Sequence, residues 1–263
     1  MIYLKTAEEI ELLRENNILV CKTLAEVSKH IKPGVTTAEL DRIAEEFIRD
    51  NGATPAFKGY NGFPASICAS VNEQVVHGIP SDKVVLKDGD IISVDCGTFM
   101  KGFVGDSAYT FAVGEISDDV KRLLQTTKES LFKGIEKAVE GNRIGDIGHA
   151  VQSYCEERGY SVVREMEGHG VGRVMHEAPG VPNFGKRGSG VMLKEGMTIC
   201  IEPMINMGRK ELMFGRDGWS TWAKDRKPSA HFENAVAVRR GKSDILSDFS
   251  IIESVLSEMG REF

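Results

Sequence analysis

An internal repeat is the feature that most restricts how this chain can fold. The segment LKDGDIISVD at residues 86–95 matches LKEGMTICIE at residues 193–202 in its pattern of apolar, charged and glycine positions. The same offset carried backward pairs Gly34 with Gly141. Each copy of the segment ends in a carboxylate that follows an apolar run. This pattern predicts a duplicated fold in which both halves deliver acidic groups to a shared centre.

The repeat also predicts how the 263 residues are organised. No Pro/Gly/Ser-rich linker separates the two copies, so we expect pseudo-symmetric halves, about 1–115 and 116–246, fused within one domain that covers 1–263. Residues 247–263 lie outside the repeat as a tail. Within the tail, Ser250 and Glu253 have the spacing of a helix N-terminus, which predicts a short amphipathic helix. We expect this helix to pack on the body in preference to contacting a partner.

Local patterns predict a pair of helices in each half, followed by strands. Capping boxes at Thr6–Glu9 and Thr36–Glu39 start the first two helices, of which the second runs to Gly52. The second half repeats this plan with helices at about 117–140 and 144–158. Strand-like runs occupy 66–71, 91–96, 103–113, 198–205 and 232–239, while 183–190 and 206–229 are expected to be loops or a hairpin. The order predicts an α+β fold, with two pairs of helices covering one face of a curved, mostly antiparallel sheet.

Composition excludes several classes of protein. The formal net charge is −6 and no run of Lys or Arg exceeds a pair, so no basic surface for sequence-specific nucleic-acid binding is expected. No apolar run approaches the ~20 residues that span a bilayer, and the N-terminus lacks the pattern of a signal peptide. Five cysteines without CxxC spacing are typical of reduced thiols in a cytoplasmic protein.

Two aspartates near the end of the first repeat indicate a cation site. Asp95 follows the apolar run of one predicted strand and Asp106 lies in the next, with a turn at Met100–Gly102 between them. Buried carboxylates on adjacent strands repel each other unless a cation lies between them. An isolated aspartate more often caps a turn, but Glu202 at the equivalent position of the second repeat favours the cation site.

The histidines indicate which cation is expected. His169 and His176 lie in a glycine-rich segment, GHGVGRVMH, which lacks the strand–turn–helix context of a nucleotide loop. An imidazole among carboxylates favours Mn, Fe, Co or Zn over Ca or Mg. With Glu233, the set Asp95, Asp106, His169 and Glu202 would hold two ions. Such ions, roughly 3.5–4 Å apart, can activate a water for attack on a carbonyl.

Two further interpretations concern His77 and a different class of hydrolase. His77, considered alone, is as often a hydrogen-bonded structural histidine as a functional one. A serine hydrolase is disfavoured because the GxSxG pattern is absent, and Cys68 lacks the helix start that would activate a thiolate.

An ordered set of motifs resembles the type I methionine aminopeptidases in their short bacterial form. The motifs are NGFPASICASVNEQVVHGIP at 61–80, VDCG at 94–97, GD at 105–106, GHGVGR at 168–173, HEAP at 176–179, IEP at 201–203 and SAHFE at 229–233. The resemblance covers residues 1 to about 246. It implies the internally duplicated pita-bread fold in a single catalytic domain, and removal of the initiator methionine from nascent proteins and peptides that carry a small second residue.

The resemblance also implies roles for individual residues. Two divalent ions per chain (Co, Mn, Fe, Zn or Ni) would be held by Asp95, Asp106, His169, Glu202 and Glu233, with Asp106 and Glu233 bridging. The implied catalytic residues are His77 at the scissile amide or leaving amine, His176 at the carbonyl oxygen and Glu202 as proton shuttle. The residues implied for substrate binding are Tyr60, Phe63, Cys68, His77, His176 and Trp219.

The chain departs from the best-known bacterial members at three pocket positions. Phe57 and Phe63 replace Cys and Tyr, and Met175 replaces a frequent Phe, so we expect altered affinity in a pocket that stays apolar. The expected protein is a cytoplasmic monomer that acts on nascent chains without membrane or nucleic-acid binding; contact with the ribosome is left open. The alternatives are an X-Pro peptidase such as a prolidase, and a non-enzymatic member that only binds peptides.

Overall fold

The computed structural model describes residues 1–263, and none of its helices combines the length and the apolar character needed to cross a membrane. The five α-helices are α1 Ala7–Ser28, α2 Thr37–Asp50, α3 Asp118–Ile135, α4 Ile144–Glu156 and α5 Phe249–Glu258, with a 3-10 turn at Tyr60–Gly62. The strands are β1 Thr54–Pro55, β2 Ile67–Val71, β3 Gln74–Val76, β4 Ile91–Met100, β5 Phe103–Ala112, β6 Ser161–Val162, β7 Gly168–Gly170, β8 Glu177–Val181, β9 Thr198–Ile201, β10 Met204–Asn206, β11 Leu212–Phe214, β12 Thr221–Ala223, β13 Ser229–His231, β14 Glu233–Ala237 and β15 Asp244–Ile245.

The helix starts agree with the sequence patterns. Thr6 forms the full capping box with Glu9, and the Thr36 side chain accepts a hydrogen bond from the backbone of Glu39. The predicted extension of the third helix to 140 is wrong. Helix α3 ends at Ile135. The backbone N–H of Glu140 donates a hydrogen bond to the carbonyl oxygen of Arg239, which follows β14, and not to a carbonyl one helical turn earlier. Tertiary pairing therefore overrides local helix propensity at this end.

The predicted α+β class is confirmed. Nine strands form an antiparallel sheet in the order β1-β4-β5-β14-β9-β7-β8, with β2 also pairing with β4 and β15 with β14. Two smaller sheets, β13-β10-β6 and β11-β12-β3, flank it. Helix α1 packs on β4 and β5, whereas α3 packs on β9 and β14. The predicted strand 198–205 is divided at Glu202–Pro203 into β9 and β10, which belong to different sheets.

The internal repeat is visible in the backbone. Gly34 and Gly141 have φ values of 93° and 92°, and their N–H groups donate to Leu86 and Leu193, which are themselves equivalent. The isolated bridges Thr36–Val85 and Arg143–Met192 also correspond at the same offset. Positive φ explains the glycines, because other residues are strained in this region. The duplication inferred from sequence thus extends to matching hydrogen bonds.

A tight hairpin joins β4 to β5 and aligns the first two candidate carboxylates. Met100 pairs with Phe103, and the two turn residues between them, Lys101 and Gly102, have φ values of 54° and 80°. Positive φ at both positions is typical of a type I′ turn, whose twist matches that of the strands. The predicted turn is confirmed and sets the register of the whole hairpin.

The tail folds against the body, as predicted. Phe249, Ile252 and Leu256 of α5 are buried, and the ring centroids of Phe249 and Tyr109 lie 5.0 Å apart. The predicted cap at Ser250 is wrong, because Asp248 is the N-cap and accepts from the backbone of Ser250. Aspartate at the N-cap satisfies a free N–H group of the helix start, so the helix begins at Phe249, earlier than the Ser250 pattern predicts.

Candidate metal centre and adjoining pocket

Neighbouring strands bring the five predicted metal ligands to one place. In sheet order they are Asp95 on β4, Asp106 on β5, Glu233 on β14, Glu202 directly after β9 and His169 on β7. Residues far apart in the chain are therefore lateral neighbours in the sheet. All five line one cavity of about 330 Å³.

The strand register puts the central carboxylates on the same face. Ala108 of β5 pairs with Asp95 on one side and with Glu233 on the other. Asp106 lies two residues from Ala108, so its side chain projects from the same face. The small alanine leaves the space between its two acidic neighbours open. Gly105 allows α1 to approach, and Asn17 of that helix accepts a hydrogen bond from the backbone of Asp106.

Burial and mutual repulsion disfavour the ionised forms of these carboxylates. Burial raises the pKa of Asp95 from 3.8 to about 7. The pKa of Asp106 is raised by burial and then by the charges of Glu233 and Asp95. Burial, with Glu202 and Asp95, raises the pKa of Glu233. Burial also raises the pKa of Glu202, followed by the charges of Asp95 and Asp106. A cluster of this kind must take up protons or bind cations.

The available donor atoms fit divalent ions. Asp95 Oδ1, Asp106 Oδ1 and Glu233 Oε1 are buried without a hydrogen-bond partner. Nδ1 of His169 lies 2.9 Å from the carbonyl oxygen of Gly170, which can only accept. Nδ1 therefore carries the proton, and Nε2 presents its lone pair to the cluster.

Two distances support shared ligation by the His169 imidazole. Its Nε2 lies 3.6 Å from Asp106 Oδ2 and 3.6 Å from Glu202 Oε1. These separations exceed those of hydrogen bonds but match the spacing of ligands around one ion at metal–ligand distances of about 2.0–2.2 Å. The side chains are thus arranged as ligands rather than as ion pairs.

The two other predicted histidines lie beside the cluster. His77 adopts φ = 57°, a strained value for a residue with a side chain, and burial lowers its pKa to about 4. Burial also lowers the pKa of His176, whose ring centroid is 4.2 Å from that of His169. The Tyr60 hydroxyl lies 2.8 Å from Nδ1 of His176. Both imidazoles are therefore neutral at pH 7 and face the same cavity.

The cavity combines this polar cluster with an aromatic and apolar wall. The predicted substrate-binding residues that line it are Tyr60, Phe63, Cys68, His77, His176 and Trp219, together with Phe57 and Met175. The rings of Phe63 and Trp219 meet edge to face at 5.0 Å. The structure therefore brings every predicted site residue into one site, with an apolar compartment next to the carboxylates.

Several residues at the site carry no assignment from sequence reasoning. Glu165 and Glu167 line the cavity, and Cys200 Sγ lies within 4.8 Å of ligand atoms of the cluster. His231, for which the sequence favours a position facing solvent or beside the ligands over ligation, is 2% exposed, and its Nε2 lies 3.8 Å from Glu202 Oε2. In the sequence, the only signals for Glu167 and Cys200 are their positions: Glu167 directly precedes the GHG motif, and Cys200 lies two residues before Glu202.

Comparison with known proteins identifies the family. The sequence model of metallopeptidase family M24 matches residues 11–240, and the chain belongs to this family. The predicted metal-dependent hydrolase is thereby confirmed. Within the family, the chain is similar to methionine aminopeptidase of Clostridium acetobutylicum and to methionine aminopeptidase 1 of Bacillus subtilis. Each is 51% identical over 94% of this chain and 99% of the relative.

Solved structures agree with this assignment. The structure of methionine aminopeptidase from Rickettsia prowazekii superposes on this chain with a TM-score of 0.93 at 41% sequence identity. The alignment covers 94% of this chain and 100% of the Rickettsia chain. The predicted pita-bread fold is confirmed. A prolidase from Pyrococcus horikoshii shares the fold at 23% identity and a TM-score of 0.76, with 63% of its length covered.

Proposed function

We propose that this chain is a methionine aminopeptidase that removes the N-terminal methionine from nascent proteins and peptides carrying a small second residue. The observation that carries the proposal is the junction, within one cavity, of the carboxylate–histidine cluster and the aromatic wall. The names of its relatives support the same activity. The low identity and partial coverage of the prolidase disfavour an X-Pro peptidase.

The proposed ligands divide according to their position in the sheet. Asp95 and His169 lie on the outer strands of the five, and Asp106 and Glu233 lie between them. Asp95 would hold one ion, His169 and Glu202 would hold the other, and Asp106 and Glu233 would contribute to both. Mn, Fe, Co, Zn and Ni all suit this donor set of oxygens and one imidazole. The buried oxygens without partners support two ions per chain.

In the proposed reaction the side chains position the substrate and move protons. The chemistry that divalent ions would supply at this site is an acidified water and polarisation of the carbonyl to be attacked. Glu202, whose pKa is raised by burial, can hold a proton on its carboxylate and is the proposed proton shuttle. His77 is placed to contact the scissile amide or leaving amine. We assign the Tyr60 hydroxyl as donor to Nδ1 of neutral His176, 2.8 Å away, which leaves Nε2–H to donate to the carbonyl oxygen.

The apolar compartment is the proposed methionine pocket. Phe57, Phe63 and Trp219 give it large, rigid apolar surfaces, and Cys68 and Met175 add polarisable sulfur. A thioether side chain packs well in such surroundings. The preference for a small second residue belongs to the same proposal, because the histidines and carboxylates crowd the part of the cavity next to the scissile bond.

The cellular setting is also proposed from the relatives and the thiols. All five cysteines are free and buried, which suits a reducing compartment such as the cytoplasm. We propose that the protein acts there as a monomer on nascent chains, with the ribosome as a candidate site of contact.

Substitution of Asp106 tests the proposal. Asp106→Ala should lose metal binding, measured by calorimetry, together with hydrolysis of a Met-Ala-Ser peptide. The exposed Asp82→Ala serves as the control, since its side chain lies outside the cavity. Wild-type protein that binds metal and peptide without releasing methionine would instead indicate a binding protein.

A further inference from the structure

A buried thiol adjoins the ligand cluster. Cys200 is fully buried on β9, two residues before Glu202, so both side chains project from the same face of the sheet. Its Sγ and one ligand atom each from Asp106, His169 and Glu233 lie within 4.8 Å of one another. Sulfur, imidazole nitrogen and two carboxylates form a donor set found around four-coordinate ions.

The register of β9 and β14 explains this approach. Cys200 pairs with Ala235, whose small side chain leaves room beside the thiol. Glu233 lies two residues along the same strand, at the diagonal position on that face. The carboxylate and the thiol are therefore brought together by the sheet itself, and Glu233 Oε1 and Asp106 Oδ1 remain buried without hydrogen-bond partners.

We propose that Cys200 gives this centre a second binding mode, in which one thiophilic divalent ion such as Cd²⁺ or Zn²⁺ is held by Asp106, His169, Cys200 and Glu233. The inference rests on the metal site of the proposed function and adds a sulfur ligand to it. When the ion binds, the thiol releases its proton to the buffer and a sulfur–metal bond forms.

The spacing of the four donors suits tetrahedral binding after a small adjustment. Metal–ligand distances of about 2.0–2.3 Å place neighbouring ligands roughly 3.3–3.8 Å apart in a tetrahedron. His169 Nε2 and Asp106 Oδ2 already lie 3.6 Å apart. The remaining pairs, all within 4.8 Å, need to close by no more than about 1.5 Å. Oxygen-preferring Mn²⁺ gains little from the sulfur, so the mode discriminates between soft and hard ions.

Occupation of this mode has a consequence for activity. The ion would use Asp106 and Glu233, the two carboxylates proposed to serve both catalytic ions. A thiophilic ion would thus displace the catalytic arrangement, and micromolar Cd²⁺ should inhibit the Mn²⁺-loaded protein. Resistance of Cys200→Ser to this inhibition is the functional counterpart of the structural claim.

Cadmium titration of the metal-free, full-length protein tests the proposal without reference to activity. Wild-type protein should develop the ultraviolet charge-transfer band of a cadmium–thiolate bond at one equivalent. Cys200→Ser should lack the band and bind Cd²⁺ at least about 10-fold more weakly, because loss of a direct ligand costs no less than loss of an outer-shell partner. Its Mn²⁺ affinity should change by less than about threefold. Cys155→Ser, at a buried thiol of α4 outside the cluster, should behave as wild type.

Two results would overturn the proposal. One is Cd²⁺ binding by the wild type without a sulfur neighbour in its cadmium X-ray absorption spectrum, which needs no substitution and so is independent of folding of the variant. The other is a band that persists in Cys200→Ser and disappears in Cys68→Ser, since Cys68 lies opposite Asp95 on β2. A sulfur band in a protein without aminopeptidase activity would refute the proposed function and leave this inference intact.

Discussion

Replacing Asp95 by asparagine should stabilise the metal-free protein while removing its stabilisation by metal. The Asp95 carboxyl has a pKa raised from 3.8 to about 7, with burial as the main cause, and its Oδ1 lacks a hydrogen-bond partner. Asparagine has nearly the same shape and carries no charge. It therefore removes the cost of burying a carboxylate without opening a cavity.

The difference between the two pKa values sets the magnitude. Because the folded pKa lies above the unfolded one, the folded state binds the extra proton. The associated stability is complete below about pH 4 and is lost as the pH rises to about 7. At about 1.4 kcal/mol per pH unit, the cost of the metal-free wild type is about 2 kcal/mol at pH 5 and about 4 kcal/mol at pH 8. Asp95→Asn should recover a similar amount at each pH.

Urea unfolding in the presence of chelator measures this effect. The midpoint for Asp95→Asn should exceed that of the wild type at pH 8 by more than at pH 5, whereas exposed Asp82→Asn should match the wild type. Added Mn²⁺ at 100 times its dissociation constant should stabilise the wild type by about 3 kcal/mol and the variant far less. A variant that is less stable than wild type at pH 8 in chelator would refute this account of the cluster.

Three further substitutions probe the supporting structure. Lys5→Met should destabilise by about 3–5 kcal/mol in urea unfolding, because it leaves the buried Glu177 carboxylate unpaired; failure of Lys5→Met/Glu177→Met to recover stability would contradict this. Phe249→Ala should cost about 3–5 kcal/mol in the same assay, and an unchanged midpoint would mean that the tail is not docked. Tyr60→Phe should lower kcat by roughly tenfold with little change in KM, because one hydrogen bond to His176 is lost. A rise in KM alone would mean that Tyr60 acts through substrate binding and not through its hydrogen bond to His176.

Local sequence patterns predict much of this fold because the same pattern occurs in both halves, so each half supports the interpretation of the other. The glycine turns before β4 and β9 and the carboxylates that end the two repeated segments are recognisable from neighbouring residues alone. The pairing of β14 with β5 joins residues more than a hundred positions apart, and nothing in the local pattern specifies it. The end of α3 is not specified locally for the same reason, since Val139 beyond it forms an isolated bridge with Arg239, a hundred residues away in sequence.

The site shows the same division between local and distant information. Acidic residues after apolar runs are conspicuous in a sequence, so Asp95 and Glu202 were identified as ligands from the residues themselves. Cys200 lies in an apolar run, where a cysteine is an ordinary core residue. Only the three-dimensional structure shows that its sulfur adjoins the cluster, because Glu233 occupies the diagonal position on the neighbouring strand β14.

The most direct test of the central claim is mass spectrometry of Met-Ala-Ser and Met-Lys-Ser incubated with chelator-treated protein, before and after Mn, Fe or Co is restored. The account predicts release of methionine from Met-Ala-Ser alone, and only with metal present. Measured metal binding without cleavage of either peptide would contradict it and identify a protein that binds peptides without hydrolysing them.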